Sequence, residues 1–277
     1  MTEERQESAT PEDEVPRLAF DTRVAHLARV YNYWLGGKDN FAADREAGDQ
    51  ALQVFPMLAY SVRANRAFLA RVVRLLAGEL GVRQFLDIGT GIPTASNTHE
   101  VAQSVAPDSR IVYVDNDPIV LSHARALLSS RPEGACDYVD ADLRDTKTIL
   151  DQAARTLDFS QPVAVMLIAI LHCIPDADDP AGIVGRLLDS VPAGSYLVLS
   201  HPAKDLGGEG HSEMHKRVNP LLSAPMTLRT KGEVTGFFDG TELLEPGIVV
   251  AAQWRPDSEL EAKTPASVWS GVGRKPE

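Results

Sequence analysis

The chain is short of the features that would place it in a specialised class. Only two cysteines occur, Cys136 and Cys173, with no CxxC pairing and no metal-ligand spacing. Each reads as a small buried apolar side chain in a reducing compartment. Basic charge is scarce, with 27 Lys and Arg against 39 Asp and Glu, a formal net charge of −12. No general basic face is available to neutralise phosphates, so nucleic acid is an unfavoured partner. The longest apolar run, Val163–Leu171, falls far short of the roughly 20 residues that cross a bilayer. No basic stretch followed by an apolar one opens the sequence, so no secretory signal is read and a cytoplasmic location is expected. Hydrophobic residues still make up 44% of the 277 positions, enough for a sizeable core.

Residues 1–16, charged and low in apolar content, are expected to form a disordered tail, and residues 17–277 a single domain. Within that domain, 17–58 read as a helical cap broken at Gly36-Gly37. Residues 59–277 read as a sheet core carrying an insertion over 203–229. From Ala59 to Leu80 the pattern is a long amphipathic helix with Val62, Phe68, Leu69, Val72 and Leu76 on one face. Arg63, Arg66, Arg71 and Arg74 fall on the other, either a solvated face or a partly functional one. Strands are predicted at 84–88, 110–115, 135–139, 162–169 and 195–200, with helices near 94–105, 118–129, 145–156 and 180–190. The apolar run at 163–169 suits a parallel strand covered on both faces. Thr230 and Glu233 read as a capping box opening a helix to about Phe238. Strands near 247–254 and 267–274 have no helix between them, which implies an antiparallel pair at one edge. The expectation is an α/β, Rossmann-like fold: a seven-stranded, mostly parallel sheet with helices on both faces.

Residues 85–93, Phe-Leu-Asp-Ile-Gly-Thr-Gly-Ile-Pro, carry the sharpest signal. They read as a buried strand breaking into a turn in which Gly89 and Gly91 let the backbone pass close to a ligand. A dinucleotide fingerprint would place a third glycine at position 94, where Thr94 stands. Asp87 would also repel a diphosphate, which disfavours a nicotinamide oxidoreductase. A ligand that tolerates Asp87 should carry positive charge, as S-adenosylmethionine does in its ammonium and sulfonium. Downstream, Arg110–Val114 is an apolar strand ending in Asp115, about twenty residues beyond Gly91, as one turn–helix–strand passage requires. Asp117-Pro118 competes, but reads as a helix N-cap with proline at the first helical position, leaving Asp115 for the ribose hydroxyls. A third acidic tip follows at Asp140 and Asp142; spacing favours Asp142 for the adenine amino group, with Leu143 supplying a main-chain donor.

The run Asp87-Ile88-Gly89-Thr90-Gly91, then Asp115, then Asp142, resembles the first three motifs of class I S-adenosylmethionine-dependent methyltransferases. The segment Arg29 to Arg45, with Asn65-Arg66, Phe237–Gly240 and Glu245-Pro246-Gly247, is similar to a bacterial S-adenosyl methyltransferase family long catalogued as a domain of unknown function. The likeness spans roughly residues 20 to 275. It implies a class I fold, S-adenosyl-L-methionine as cofactor, and methyl transfer to an acceptor it does not name. Beside the motif residues, Thr90, Asn116 and Ala169 join the expected cofactor-binding set. Arg63 or Arg66 would grip the cofactor carboxylate. Tyr33 and Asn40 belong to an expected lid.

Other positions have weaker signals. His172, beyond the fourth strand in Ile-Leu-His-Cys-Ile-Pro-Asp, is either a general base or a packed structural histidine. The segment lacks the Asn/Asp-Pro-Pro-aromatic sequence used by enzymes that methylate adenine or glutamine amino groups. His211 and His215 are spaced by four, but no third ligand accompanies them, so no metal is expected. A small-molecule acceptor is expected because the cap and the insertion can enclose a cavity. The alternative is a cofactor-binding protein without methyltransferase activity. Oligomeric state has no signal.

Overall fold

A computed structural model describes residues 21–127 and 130–277. The tail expected over 1–16, the first residues of the cap and the end of the helix near 118–129 lie outside the described residues. Three helices come first: α1 (Leu27–Trp34), α2 (Ala42–Val54) and α3 (Leu58–Gly78). Alternation follows as β1 (Gln84–Ile88), α4 (Thr98–Val105), β2 (Arg110–Asp115), α5 (Pro118–Leu127), β3 (Ala135–Asp140), α6 (Thr146–Ala153), β4 (Ala164–Ile168), α7 (Pro180–Asp189) and β5 (Tyr196–Pro202). The chain closes with α8 (Gly208–Val218), α9 (Lys231–Gly236), β6 (Glu242–Leu243), β7 (Val249–Val250) and β8 (Val268–Arg274).

The sheet runs β3-β2-β1-β4-β5-β8-β6, parallel from β3 to β5, with β8 antiparallel to β5. The side chains of β1 alternate between two cores, Phe85 into one, Leu86 and Ile88 into the other. That alternation is why the strand is buried along its whole length and why helices cover both faces. Helix α3 packs Phe68, Val72 and Leu76 on one face, while Ile149 of α6, Ile183 of α7 and Val234 of α9 pack on the other.

The C-terminal edge differs from the expectation. Eight strands are present among the described residues, and both β6 and β7 lie along β8, opposite Gly273–Arg274 and Trp269–Ser270 respectively. The strand expected over 247–254 is only Val249–Val250, followed by a 3-10 turn at Ala251–Gln253. The turn places Trp254 in the core, edge-on to Phe68 with ring centroids 5.5 Å apart. Arg71 holds it there, donating to the carbonyls of Ala251 (2.7 Å) and Trp254 (2.9 Å) and pairing with Glu261. Arg71 is thus buried, not part of a solvated arginine face.

The cap and the insertion pack together. Trp34, Ala47, Phe55 and Leu58 share one apolar cluster with Met214, Val218 and Leu222. Ala25 and Leu222 form an isolated parallel bridge, and the Ser223 N–H donates to the Ala25 carbonyl at 2.8 Å. Asp44, fully buried, accepts from the N–H of His26 and of Phe41, so the N-cap residues of α1 and α2 hang from one carboxylate. Among the described residues no helix is long and apolar enough to cross a membrane.

Candidate active site

Strand order reverses between β1 and β4, and in open α/β sheets ligands bind outside the strand ends at that point. A cavity of about 240 Å³ lies there, floored by strand tips and walled by the cap and the insertion. The first tip supplies Asp87, buried, whose Oδ2 accepts from the Thr98 hydroxyl at 2.6 Å. Burial pushes its carboxyl up to about 6, against the Thr98 bond and the Arg66 charge, which pull it down. Gly89 and Gly91 both have positive φ, +74° and +66°. A Cβ at Gly89 would run into the Ile170 side chain, so only glycine lets the β1 and β4 tips approach this closely.

The second tip supplies Asp115. Its Oδ2 accepts from the Gly91 N–H at 2.9 Å and its Oδ1 from the Asp117 N–H at 2.9 Å. Burial raises its carboxyl, partly opposed by those two donors. Asp117 caps α5 through the Ile119 N–H (2.9 Å) and faces His26 Nδ1 at 3.0 Å. Burial pushes its carboxyl up, but His26 and the Ile119 donor outweigh it and hold it low. The third tip supplies Asp142, which lines the cavity with Asn116 and Leu143 and pairs with Arg144 at 2.9 Å. Asp140 is exposed and outside the cavity. From the fourth tip comes Ala169, in the left-handed region at φ +50°. Such strain costs about 1–3 kcal/mol and persists only where neighbours hold it. Here Ser200 does, accepting the Ala169 N–H at both its carbonyl and its hydroxyl.

Arg66 lines the cavity and donates to the carbonyls of Ala95 (3.2 Å) and Ser96 (3.1 Å), bracing the loop after Gly91. That loop delays the helix expected from 94 until Thr98, where the Asn97 N–H meets Glu100 at 2.9 Å. Three expected residues lie outside the cavity lining. Arg63 is exposed one turn away. Tyr33 packs over Gly48 and donates to Asp49 at 2.6 Å, and Asn40 is spent on Asn32 and the Gly37 carbonyl, bracing the Gly36-Gly37 bend.

His172 lines the cavity with its Nδ1 buried and unpartnered. Burial, His201 and Arg229 drive it down to about 3, so the ring is neutral at physiological pH. Buried Arg229 clamps the surrounding turn, donating to the carbonyls of Leu171 (3.0 Å) and Ile174 (2.8 Å) and to Asp176 (2.7 Å). Its fourth partner is His201 Nε2 at 2.9 Å, which fixes the His201 proton on Nδ1 toward the Pro202 carbonyl. His211 and His215 do not form a ligand pair: each bonds a backbone carbonyl, of Leu206 and Met226. Among the described residues no cluster of metal-ligating side chains occurs.

Sequence reasoning missed a relay across the cavity wall. The Ser200 hydroxyl donates to Asn65 Oδ1 at 2.6 Å, Asn65 Nδ2 to the Tyr31 hydroxyl at 3.0 Å, and Tyr31 to the Val62 carbonyl at 3.2 Å. It ties the β4 tip to the cap. The available signal was an asparagine on the apolar face of α3, three residues from Val62 and from Phe68.

A family model described as S-adenosyl methyltransferase matches residues 13–276. The chain belongs to that family. This methyltransferase is 48% identical to a DUF574 family protein of Streptomyces avermitilis MA-4680, over 92% of this chain and 99% of that one, with a TM-score of 0.89. A protein of Thermobifida fusca YX, provisionally named a methyltransferase, is 42% identical over 95% of this chain and all of its own, with a TM-score of 0.85. Human N-acetylserotonin methyltransferase, in complex with S-adenosylmethionine, shares the fold at 15% identity and a TM-score of 0.50, over 89% of this chain and 62% of that one. Among curated proteins nothing matches. The methyltransferase takes S-adenosylmethionine as cofactor, and a binding-only role is not favoured. The donor set fits the cofactor. Among the described residues Asp87 is a buried carboxylate with no ion-pair partner, suited to a cation, and Asp115 lies under a glycine turn that keeps side chains away.

Cofactor affinity is expected to depend on pH through Asp87. Below about pH 6 its carboxyl is protonated in the free protein and has no charge for a cation; above that it is ionised. A bound cation favours the ionised form, so affinity should be level above neutrality and fall by up to about tenfold per pH unit in acid. Calorimetry at pH 5.5 in buffers of different ionisation enthalpy should show a proton released on binding S-adenosylhomocysteine's ammonium. Proton uptake, or affinity unchanged from neutrality to pH 5, would contradict this role.

Proposed function

We propose that this enzyme methylates a small molecule held under the cap. Asp115 would bind the ribose hydroxyls, Asp142 and Leu143 the adenine, and Asp87 the ammonium, while Arg66 is the one expected arginine with access to the cofactor carboxylate. S-adenosylmethionine supplies, when bound, a methyl group already activated by its sulfonium. What remains to the protein is to align an acceptor and exclude water. The cap and insertion would do both, and His172, whose Nδ1 is sealed from solvent, would orient the acceptor through Nε2. The observation that carries this reading is the two-sided cavity: carboxylates and a glycine turn on the strand tips with His172 in the turn after β4, and apolar side chains of the cap and insertion opposite.

The test uses S-adenosylmethionine labelled on the methyl group, with Streptomyces extract split into small-molecule and macromolecular fractions. Label should transfer to the small-molecule fraction. Transfer to protein or RNA alone would reject a small acceptor.

A further inference from the structure

The charged residues of the cavity, Asp87, Asp115, Asp142, Arg66 and Arg144, belong to the strand tips, the turn beyond β3 and the arginine bracing the glycine loop. The opposite wall has another character. Trp34 of α1, Leu58 and Val62 of α3, Met214 of α8, Met226 of the following loop and Val268 of β8 line it. Among the described residues this wall holds no Lys, Arg, Asp or Glu. Apart from His26, which faces Asp117, the imidazoles lining the cavity are His172, in the turn after β4, and His211; both are lowered by burial and so neutral, and His211 Nδ1 is committed to the Leu206 carbonyl at 3.0 Å. His172 Nδ1 is sealed from solvent, and no hydrogen bond occupies Nε2, the ring nitrogen left open to the cavity.

We infer that this wall is the acceptor subsite, and that it takes an uncharged, largely apolar molecule presenting a hydroxyl to His172, which is methylated on that oxygen. The inference rests on the reading of methyl transfer to a small molecule. A carboxylate or phosphate entering here would lose its hydration without meeting a cation, a cost of several kcal/mol. An ammonium would meet no carboxylate on this wall and carries no lone pair to accept a methyl group. A hydroxyl satisfies both sides: it donates to the unpartnered nitrogen and keeps a lone pair for the incoming carbon. A thiol donates too weakly to compensate the same nitrogen. Charge balance agrees. As the oxygen–methyl bond forms and the sulfur–methyl bond breaks, the positive charge on sulfur is lost and the hydroxyl proton passes to His172. The cavity therefore keeps its net charge through the transfer, and the imidazolium, disfavoured by burial, returns its proton to water once product leaves.

Three probes on one aromatic frame test this: 2-naphthol, 2-naphthoate and 2-naphthylmethylammonium. Each is titrated into the full chain saturated with S-adenosylhomocysteine at pH 7.5, followed by calorimetry. Naphthol should bind at least about tenfold more tightly than either ion, a gap of about 1.4 kcal/mol. His172→Phe, which keeps ring bulk and removes the nitrogen, should abolish most of that preference and leave S-adenosylhomocysteine affinity unchanged. The ranking in the unaltered protein stands even if the variant misfolds. Equal or tighter binding of naphthoate or the ammonium overturns the inference, as does failure of all three at millimolar concentration. Failure of S-adenosylhomocysteine itself to bind would instead overturn the cofactor roles on which the subsite rests.

Discussion

Asp115→Ala should weaken S-adenosylhomocysteine binding by about 2–4 kcal/mol, roughly 30- to 1,000-fold in Kd. The size follows from burial. Both oxygens sit out of bulk water, so the ribose hydroxyls they would receive have no competing solvent, and charge-assisted bonds there are about twice as strong as neutral ones. The same substitution unties the Gly91 N–H, loosening the turn on which the cofactor would rest. Asp117→Ala, two residues away, should behave differently. It removes the α5 cap and the His26 contact, lowering stability by about 0.5–2 kcal/mol for the cap alone. Calorimetry of binding and thermal melts of both variants separate the two effects. If Asp117→Ala lost the ligand and Asp115→Ala only melted earlier, the ribose assignment would be wrong.

Arg229→Ala should be the most destabilising single change near the site, at about 3–5 kcal/mol. The guanidinium is buried against two carbonyls, an imidazole nitrogen and the Phe237 ring, and its removal leaves those acceptors without donors. A fall in Tm on the order of 10 °C is expected. Lys cannot reproduce the fork and should recover only part of the loss. The turn it clamps carries His172, so turnover should fall further than stability alone accounts for. A melting temperature within a degree or two of the unaltered protein would show that the clamp is dispensable.

The parallel half of the fold was legible because each element announced itself locally. The runs at 84–88 and 110–115 are apolar, bounded by breakers, and their strands match those limits. Thr230 with Glu233 and Asp117 with Pro118 marked helix starts through chemistry confined to four residues. What stayed hidden depends on partners far along the chain. Arg71 reads as one of a polar stripe until Trp254, 183 residues later, offers its carbonyl. Val249 and Val250 read as part of a long strand until burial of Trp254 bends the chain away. Tyr33 and Asn40 have the composition of a ligand-facing lid, yet they are absorbed by bracing the cap itself. The strand-tip carboxylates could be found from spacing alone. The relay through Asn65 could not, since Ser200, Asn65 and Tyr31 lie on three elements, β5, α3 and α1, far apart in the chain.

The bridge between Ala25 and Leu222 has a consequence for how the enzyme would diversify. The two segments that roof the cavity come from opposite ends of the chain, nearly two hundred residues apart, yet they share one apolar cluster and a backbone hydrogen bond. Neither can change shape without the other accommodating it, so variation in one that altered the roof would have to be matched in the other. A graft of either segment from a relative would carry half an interface. Exchanged as a pair, they are an interchangeable part that would present a new wall to a new acceptor above strand tips left unchanged.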